Sequence, residues 1–285
     1  MKIAFQGEIG AYSEEAVAGL YPLAEIVPQI SFESAFDAVS SGKLDRAVLP
    51  IENSLFGSVH QNYDLLSEHD LNIVAEIQLR IRHQLLATEG SQLSDIRTVY
   101  SHPQAIGQCR TYLREHLPNA EIIPAYDTAG AAKLVSQNGS SASAAIASRA
   151  AATEYSLVTL AEDIESNHAN FTRFLSLARP DDEPEEGLSE ESISTGNPKT
   201  SLLYAQRENV PGGLFKSLAV FALRDIDLYK IESRPLVGSP GKYIFYLDLE
   251  GHQEDERVKN ALHHLKEVAA SVKVLGSYRS GRILG

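Results

Sequence analysis

Between Pro180 and Pro198 the chain carries Asp181, Asp182, Glu183, Glu185, Glu186, Glu190 and Glu191 and no lysine or arginine. Like charge, proline and serine so concentrated cannot supply the apolar face that a core element needs, so residues 180–199 read as an acidic linker. That stretch divides the chain into two folding units, 1–179 and 200–279, and each unit has its own pattern.

The first unit repeats a strand, a polar turn and a helix. Lys2 to Phe5 predicts a strand, followed by a glycine turn and a helix for which Ser13 is the expected N-cap ahead of Glu14 and Glu15. Strands follow near Glu25 to Pro28, before Glu52-Asn53-Ser54, before Ser101-His102-Pro103, and at Glu121 to Ala125 and Ser143 to Ala147. Helices are predicted between them, and Asp127 or Thr128 is placed to cap an alanine-rich one. This alternation is the α/β class, in which ligands gather beyond the carboxyl ends of strands. Leu71 to Leu86 reads as extended chain crossing from one lobe to another.

The unit closes on Asn170-Phe171-Thr172-Arg173-Phe174 and the apolar run Leu175 to Ala178. Side chains alternate across a strand, so Asn170 and Thr172 share one face and Phe171, Arg173 and Leu175 the other. Strict alternation therefore aims Arg173 away from Thr172. It either reaches a ligand from a bulged backbone or fixes a neighbouring strand through a carboxylate, and the ligand role is the expectation taken forward.

The second unit spells βαββαβ. Tyr243, Phe245, Leu247 and Leu249 alternate as a strand, and Val258, Ala261, Leu262, Leu265 and Val268 keep helical spacing. The order predicts a ferredoxin-like domain.

Charge and composition exclude several functions. The net charge of −13 argues against nucleic acid and anionic membranes as partners, and about half of it sits in the linker. No run approaches the ~20 apolar residues of a membrane span, and the opening strand lacks a signal-peptide pattern, so the cytoplasm is expected. Cys109 is the only cysteine, which rules out an intramolecular disulfide and suggests a buried apolar role. The histidines show no ligand pair at helical spacing, so no metal is expected. Gly7 and Gly10 alone do not complete a dinucleotide fingerprint.

Several long motifs, in order, carry a family resemblance: PIENSLFGSVHQNYDLL at 50–66, YSHPQAIGQC at 100–109, DTAGAAK at 127–133, AAIAS at 144–148 and NFTRF at 170–174. They resemble the catalytic domain of prephenate and arogenate dehydratases. VPGGLFKSL and ESRP resemble the attached ACT regulatory domain, and QGEIGAYSEEA and TAGAA look like the arogenate-using plant members. The resemblance implies a two-lobed catalytic domain like type II periplasmic binding proteins, with its last strand folded back into the first lobe, and a C-terminal ferredoxin-like ACT domain. It implies a carbon–oxygen lyase that converts prephenate to phenylpyruvate, with arogenate the alternative substrate and a non-catalytic amino-acid sensor the alternative function. No cofactor is implied. It places catalysis on Thr172 and substrate binding on Asn53, Ser54, Ser101, Gln108, Thr128 and Arg173. L-Phenylalanine is expected between paired ACT domains of a homodimer or homotetramer. The residues expected to contact it are Asn209, Gly212, Gly213, Leu214 and Phe215, and Glu232, Ser233, Arg234 and Pro235.

Overall fold

The computed structural model describes residues 1–236, 238–239 and 241–285. Lobe one opens with β1 (Lys2–Gln6), α1 (Tyr12–Leu20), β2 (Glu25–Gln29), α2 (Phe32–Ser40) and β3 (Arg46–Asn53). It continues with β4 (Gly57–Ser58), α3 (His60–Glu68) and β5 (Asn72–Arg80). The chain then crosses at residues 81–83 into lobe two. That lobe holds β6 (Gln84–Ala87), β7 (Thr98–Ser101), α4 (Pro103–Gln108), α5 (Arg110–His116) and β8 (Glu121–Pro124). It is completed by α6 (Thr128–Asn138), β9 (Ser143–Ala147), α7 (Arg149–Glu154) and β10 (Val158–Ala161). β11 (Phe171–Ala178) returns to lobe one, between β3 and β5 and antiparallel to both.

Two features differ from the sequence expectation. Ser13 lies inside α1 and Ala11 is the N-cap, because the Glu14 carboxylate reaches back to the Gly10 backbone N–H and closes the helix start itself. The acidic stretch contains α8 (Glu190–Ser194), capped by the Ser189 hydroxyl, and is strapped onto lobe one. The buried Arg46 guanidinium donates to Asp182 and to the Glu183 carbonyl, both at 2.7 Å. Those contacts offset the self-repulsion that made the stretch read as free linker.

The third unit runs β12 (Pro198–Gln206), α9 (Gly213–Ala222), β13 (Leu228–Pro235), β14 (Tyr243–Glu250), α10 (Glu256–Val268) and β15 (Ala269–Arg279). Its strand order β13-β14-β12-β15 is the ferredoxin-like arrangement, with the unit's first strand in the interior. Alternation gives its sheet two apolar faces. Leu202, Tyr204, Phe245 and Leu247 pack beneath α9 and α10. Leu203, Tyr246, Leu275 and Tyr278 join Leu49, Tyr63 and Leu175 in a core shared with lobe one. The chain ends by re-entering lobe one as β16 (Ile283–Leu284), parallel to β5, with Leu284 packed on the lobe-one core.

Candidate active site

The two lobes face each other across a cavity of about 500 Å³. Helix beginnings form part of its walls. The first turns of α1, α2, α3 and α6, helices of 9 to 11 residues, contribute Tyr12, Phe32, Gln61 and Thr128. Free N–H groups and the aligned peptide dipoles make such an end partly positive; α1 and α3 have no side-chain cap, whereas Ser31 caps α2 and the Asp127 carboxylate caps α6. Among the described lining residues there is no lysine or arginine, and Asp127 is the one carboxylate.

Thr172 lines this cavity, in the first residue pair between β11 and β3. It lies directly across from Asn53. The Asn53 amide is oriented by the backbone: its Oδ1 accepts from Leu55 N at 3.0 Å and Phe56 N at 3.1 Å. Its Nδ2 is thereby turned to donate to Asn170 Oδ1 at 2.8 Å and to Thr172 Oγ1 at 3.0 Å. With the Thr172 oxygen already accepting, its own O–H is left to donate outward. Asn170 and Thr172 do share one face, as alternation requires.

Gln108 and Thr128 line the cavity from lobe two. A residue that sequence reading missed, His83, sits in the crossing segment between β5 and β6 and joins the lobes. Its Nδ1 meets the Tyr12 hydroxyl of lobe one at 2.9 Å, and its Nε2 meets Gln108 Oε1 of lobe two. Burial lowers the His83 pKa against the pull of Gln108 and Glu165, which favours the neutral ring. A neutral ring with Nε2–H donating to Oε1 turns the Gln108 amide NH2 toward the cavity. The only sequence signal for His83 was a histidine at the end of a long extended run.

Three of the expected ligand side chains are elsewhere. The Ser101 hydroxyl is fully buried and donates to the Ile146 carbonyl at 2.6 Å, tying β7 to β9. Ser54 donates to the Ala169 carbonyl and accepts from Phe171 N, stapling the turn after β3 to the start of β11. Neither lines the cavity. Arg173 faces the opposite side of β11, although the β11–β3 register does shift between Arg173 and Phe174. Its Nε donates to Glu76 at 2.5 Å, one Nη to Asp248 at 2.5 Å and the other to Tyr278 at 2.9 Å. Lys199 completes the cluster on Glu76 at 2.6 Å. Burial pushes the Asp248 carboxyl up, but Arg173, Ser201 and Lys199 outweigh it and hold it below the usual carboxylate range.

In the third unit, the segments Asn209–Phe215 and Glu232–Pro235 separate by direction. Gly212 caps α9 at φ 76°, a left-handed conformation that suits glycine, and Phe215 beside it is 75% exposed. On the edge strand β13, Ser233 is exposed while Glu232 and Arg234 point into lobe one. Ser58 donates to Glu232 at 2.6 Å, Arg234 pairs with Asp64 at 2.7 Å, and Lys230 bridges Glu52 at 2.9 Å and Ser58 at 3.0 Å. The side chains of Glu232 and Arg234, expected to meet an effector, are therefore already engaged within the chain. Ser58 itself lines the cavity between the lobes.

The family model described as prephenate dehydratase matches residues 3–182. The arogenate dehydratase/prephenate dehydratase 2 of Arabidopsis thaliana, chloroplastic by name, is 47% identical over 290 residues, covering 98% of this chain and 72% of the relative. Among solved structures, the prephenate dehydratase of Arthrobacter aurescens in complex with L-Phe is 35% identical. It superposes with a TM-score of 0.88 over 98% of this chain and 90% of its own. The structure titled as GqqA, a quorum quenching acylase, is 34% identical with a TM-score of 0.87, covering 99% of this chain and 98% of that one.

Proposed function

The chain belongs to the prephenate dehydratase family, and on that premise we propose that its cleft carries out the decarboxylative dehydration of prephenate to phenylpyruvate, carbon dioxide and water. The enzyme is a carbon–oxygen lyase. Expelling the ring hydroxyl and the ring carboxylate together forms an aromatic ring, so the chemistry is already downhill and the task is to help hydroxide leave. The observation that carries the reading is the Thr172 hydroxyl, whose oxygen is occupied by Asn53 and whose proton is free for the leaving oxygen. A donor so aligned strengthens as negative charge develops.

The cleft also suits a substrate that must lose a carboxylate. A tight cation pair on the ring carboxylate would stabilise the ground state and slow its loss. Helix N-termini hold an anion without delivering a full charge, and the α1 and α3 ends, which open on this cavity without a side-chain cap, stand in for the arginine expected from sequence. The remaining carboxylate of the substrate takes the N–H groups of one such end, with Gln108 and Thr128 completing its site.

Arogenate is a second reading, favoured by the plant relative named for both substrates. The acylase name of one neighbour finds no support in the cleft: His83 bonds Tyr12 and Gln108, His102 Nδ1 accepts from the Gln104 backbone, and no serine hydroxyl is hydrogen-bonded to either ring among the described residues. The third unit acts as an ACT regulatory domain that takes L-phenylalanine at the exposed Asn209–Phe215 turn and Ser233–Pro235, between two copies of the chain. Exposed Phe215, Tyr229 and Ile231 supply the apolar surface for that pairing.

The deciding experiment follows phenylpyruvate by ultraviolet absorbance from prephenate and phenylalanine by amino-acid analysis from arogenate, in wild type and Thr172→Ala. Turnover that collapses in the variant with melting retained supports the reading. Turnover of neither substrate, with ligand-induced melting shifts alone, would leave an amino-acid sensor instead.

A further inference from the structure

Asp127 is the single charged side chain at neutral pH among the described residues that line the cleft. Its two carboxylate oxygens have different surroundings. Oδ1 caps α6 by accepting from Gly130 N, whereas Oδ2 has no hydrogen bond among the described residues. Oδ2 faces the loop after β1, 3.6 Å from the point a Cβ on Gly7 would occupy, and Gly7 also lines the cleft. The nearest cation on the same helix does not neutralise it, because Lys133 Nζ is taken by Glu8 at 2.9 Å. A fixed negative oxygen thus stands in a cavity whose other described lining residues, polar and apolar, include no lysine, arginine or second carboxylate.

The two candidate substrates differ at one group. Both carry a ring carboxylate and a side-chain carboxylate. One has a carbonyl beside the latter and a total charge of about −2; the other has an ammonium there and a total of about −1 at neutral pH. A bare carboxylate oxygen repels the first and accepts a charge-assisted hydrogen bond from the second. We propose that Asp127 is a specificity-determining residue whose Oδ2 accepts from the ammonium group of an amino-acid substrate, tilting the cleft toward arogenate over prephenate. The inference rests on the dehydratase reading and adds the group that tells its two substrates apart.

The test is Asp127→Asn, since asparagine caps a helix as well as aspartate does and removes only the charge. Values of kcat/KM are measured on arogenate and prephenate side by side. The variant is expected to lose about tenfold or more on arogenate, the scale of a hydrogen bond between charged groups, and to gain on prephenate, with melting retained. A ratio within about threefold of wild type, an equal fall on both substrates, or a wild type that turns over prephenate alone would overturn the assignment. Asp127→Ser, which also caps, carries the same comparison if the asparagine variant folds poorly. Wild type inactive on both substrates would instead remove the dehydratase reading itself.

Discussion

Thr172 and Arg173 are neighbours on one strand, and the two sides of β11 that they face are built on opposite electrostatic plans. Thr172 looks into a cavity of about 500 Å³ with one carboxylate and no lysine or arginine among its described lining residues. Arg173 looks into a charge-balanced cluster in which Lys199, Glu76 and Asp248 are buried with it between lobe one and the third unit. A reaction that discards a carboxylate is served by a weak grip on it, whereas a domain interface is served by a strong one. The period of two along a strand lets a single segment serve both sides without mixing them.

The comparison breaks most visibly at Arg173. Arg173→Met leaves Glu76 and Asp248 buried without their main partner, and removing one member of such a cluster costs about 3–5 kcal/mol. Denaturant melts should show that loss while KM for the substrate moves little. A raised KM at unchanged stability would return Arg173 to the substrate. Acid probes the same cluster. Asp248 has its folded pKa depressed, so its stabilising contribution is full above the unfolded value of about 3.9 and is lost as pH falls through the folded value. The interface should therefore weaken below about pH 4.

On the cleft side the expected effect is on rate. Thr172→Ala should lower kcat by on the order of a hundredfold or more, the usual consequence of removing one donor aimed at developing charge, with the melting temperature held. Equal turnover in the variant would move the leaving-group role elsewhere in the cleft.

The two sides meet at Ser58, a cleft residue whose hydroxyl is held by Lys230 and Glu232 of the third unit. An effector that shifts β13 must disturb those bonds, and a shift in affinity requires such a difference between states. Lys230→Met should weaken inhibition by L-phenylalanine by roughly 2- to 30-fold, the range of coupling that single residues carry. Inhibition curves that superpose on wild type would show that the signal takes another route.

Much of this was legible in the chain because it is local. Strand and helix periods located nearly every element, the βαββαβ order was written in the last third, and Asn53, Gln108, Thr128 and Thr172 do gather at one cavity. Alternation also told that Arg173 points away from Thr172. What it could not supply was the partner, since Glu76 and Asp248 lie 97 and 75 residues away along the chain. Ser101 was misread because a serine at a strand end is equally able to satisfy a neighbouring strand's carbonyl. The strapping of the acidic stretch was hidden because one buried arginine, Arg46, compensates it from 136 residues away.

His83 was illegible for the same reason and yields the smallest effect. Its two ring nitrogens reach Tyr12 and Gln108, 71 and 25 residues distant and on different lobes, so no window of sequence contains the arrangement. If it acts by turning the Gln108 amide toward the substrate, His83→Leu should lower kcat/KM by up to about tenfold, the worth of one neutral hydrogen bond. The same substitution in a Gln108→Ala background should then cost almost nothing, because the group it positions is already gone. Additive losses would mean that His83 merely packs the crossing between the lobes. The sharper form of the comparison would then stand without it: a cleft that binds through helix ends, backed by an interface that binds through ions.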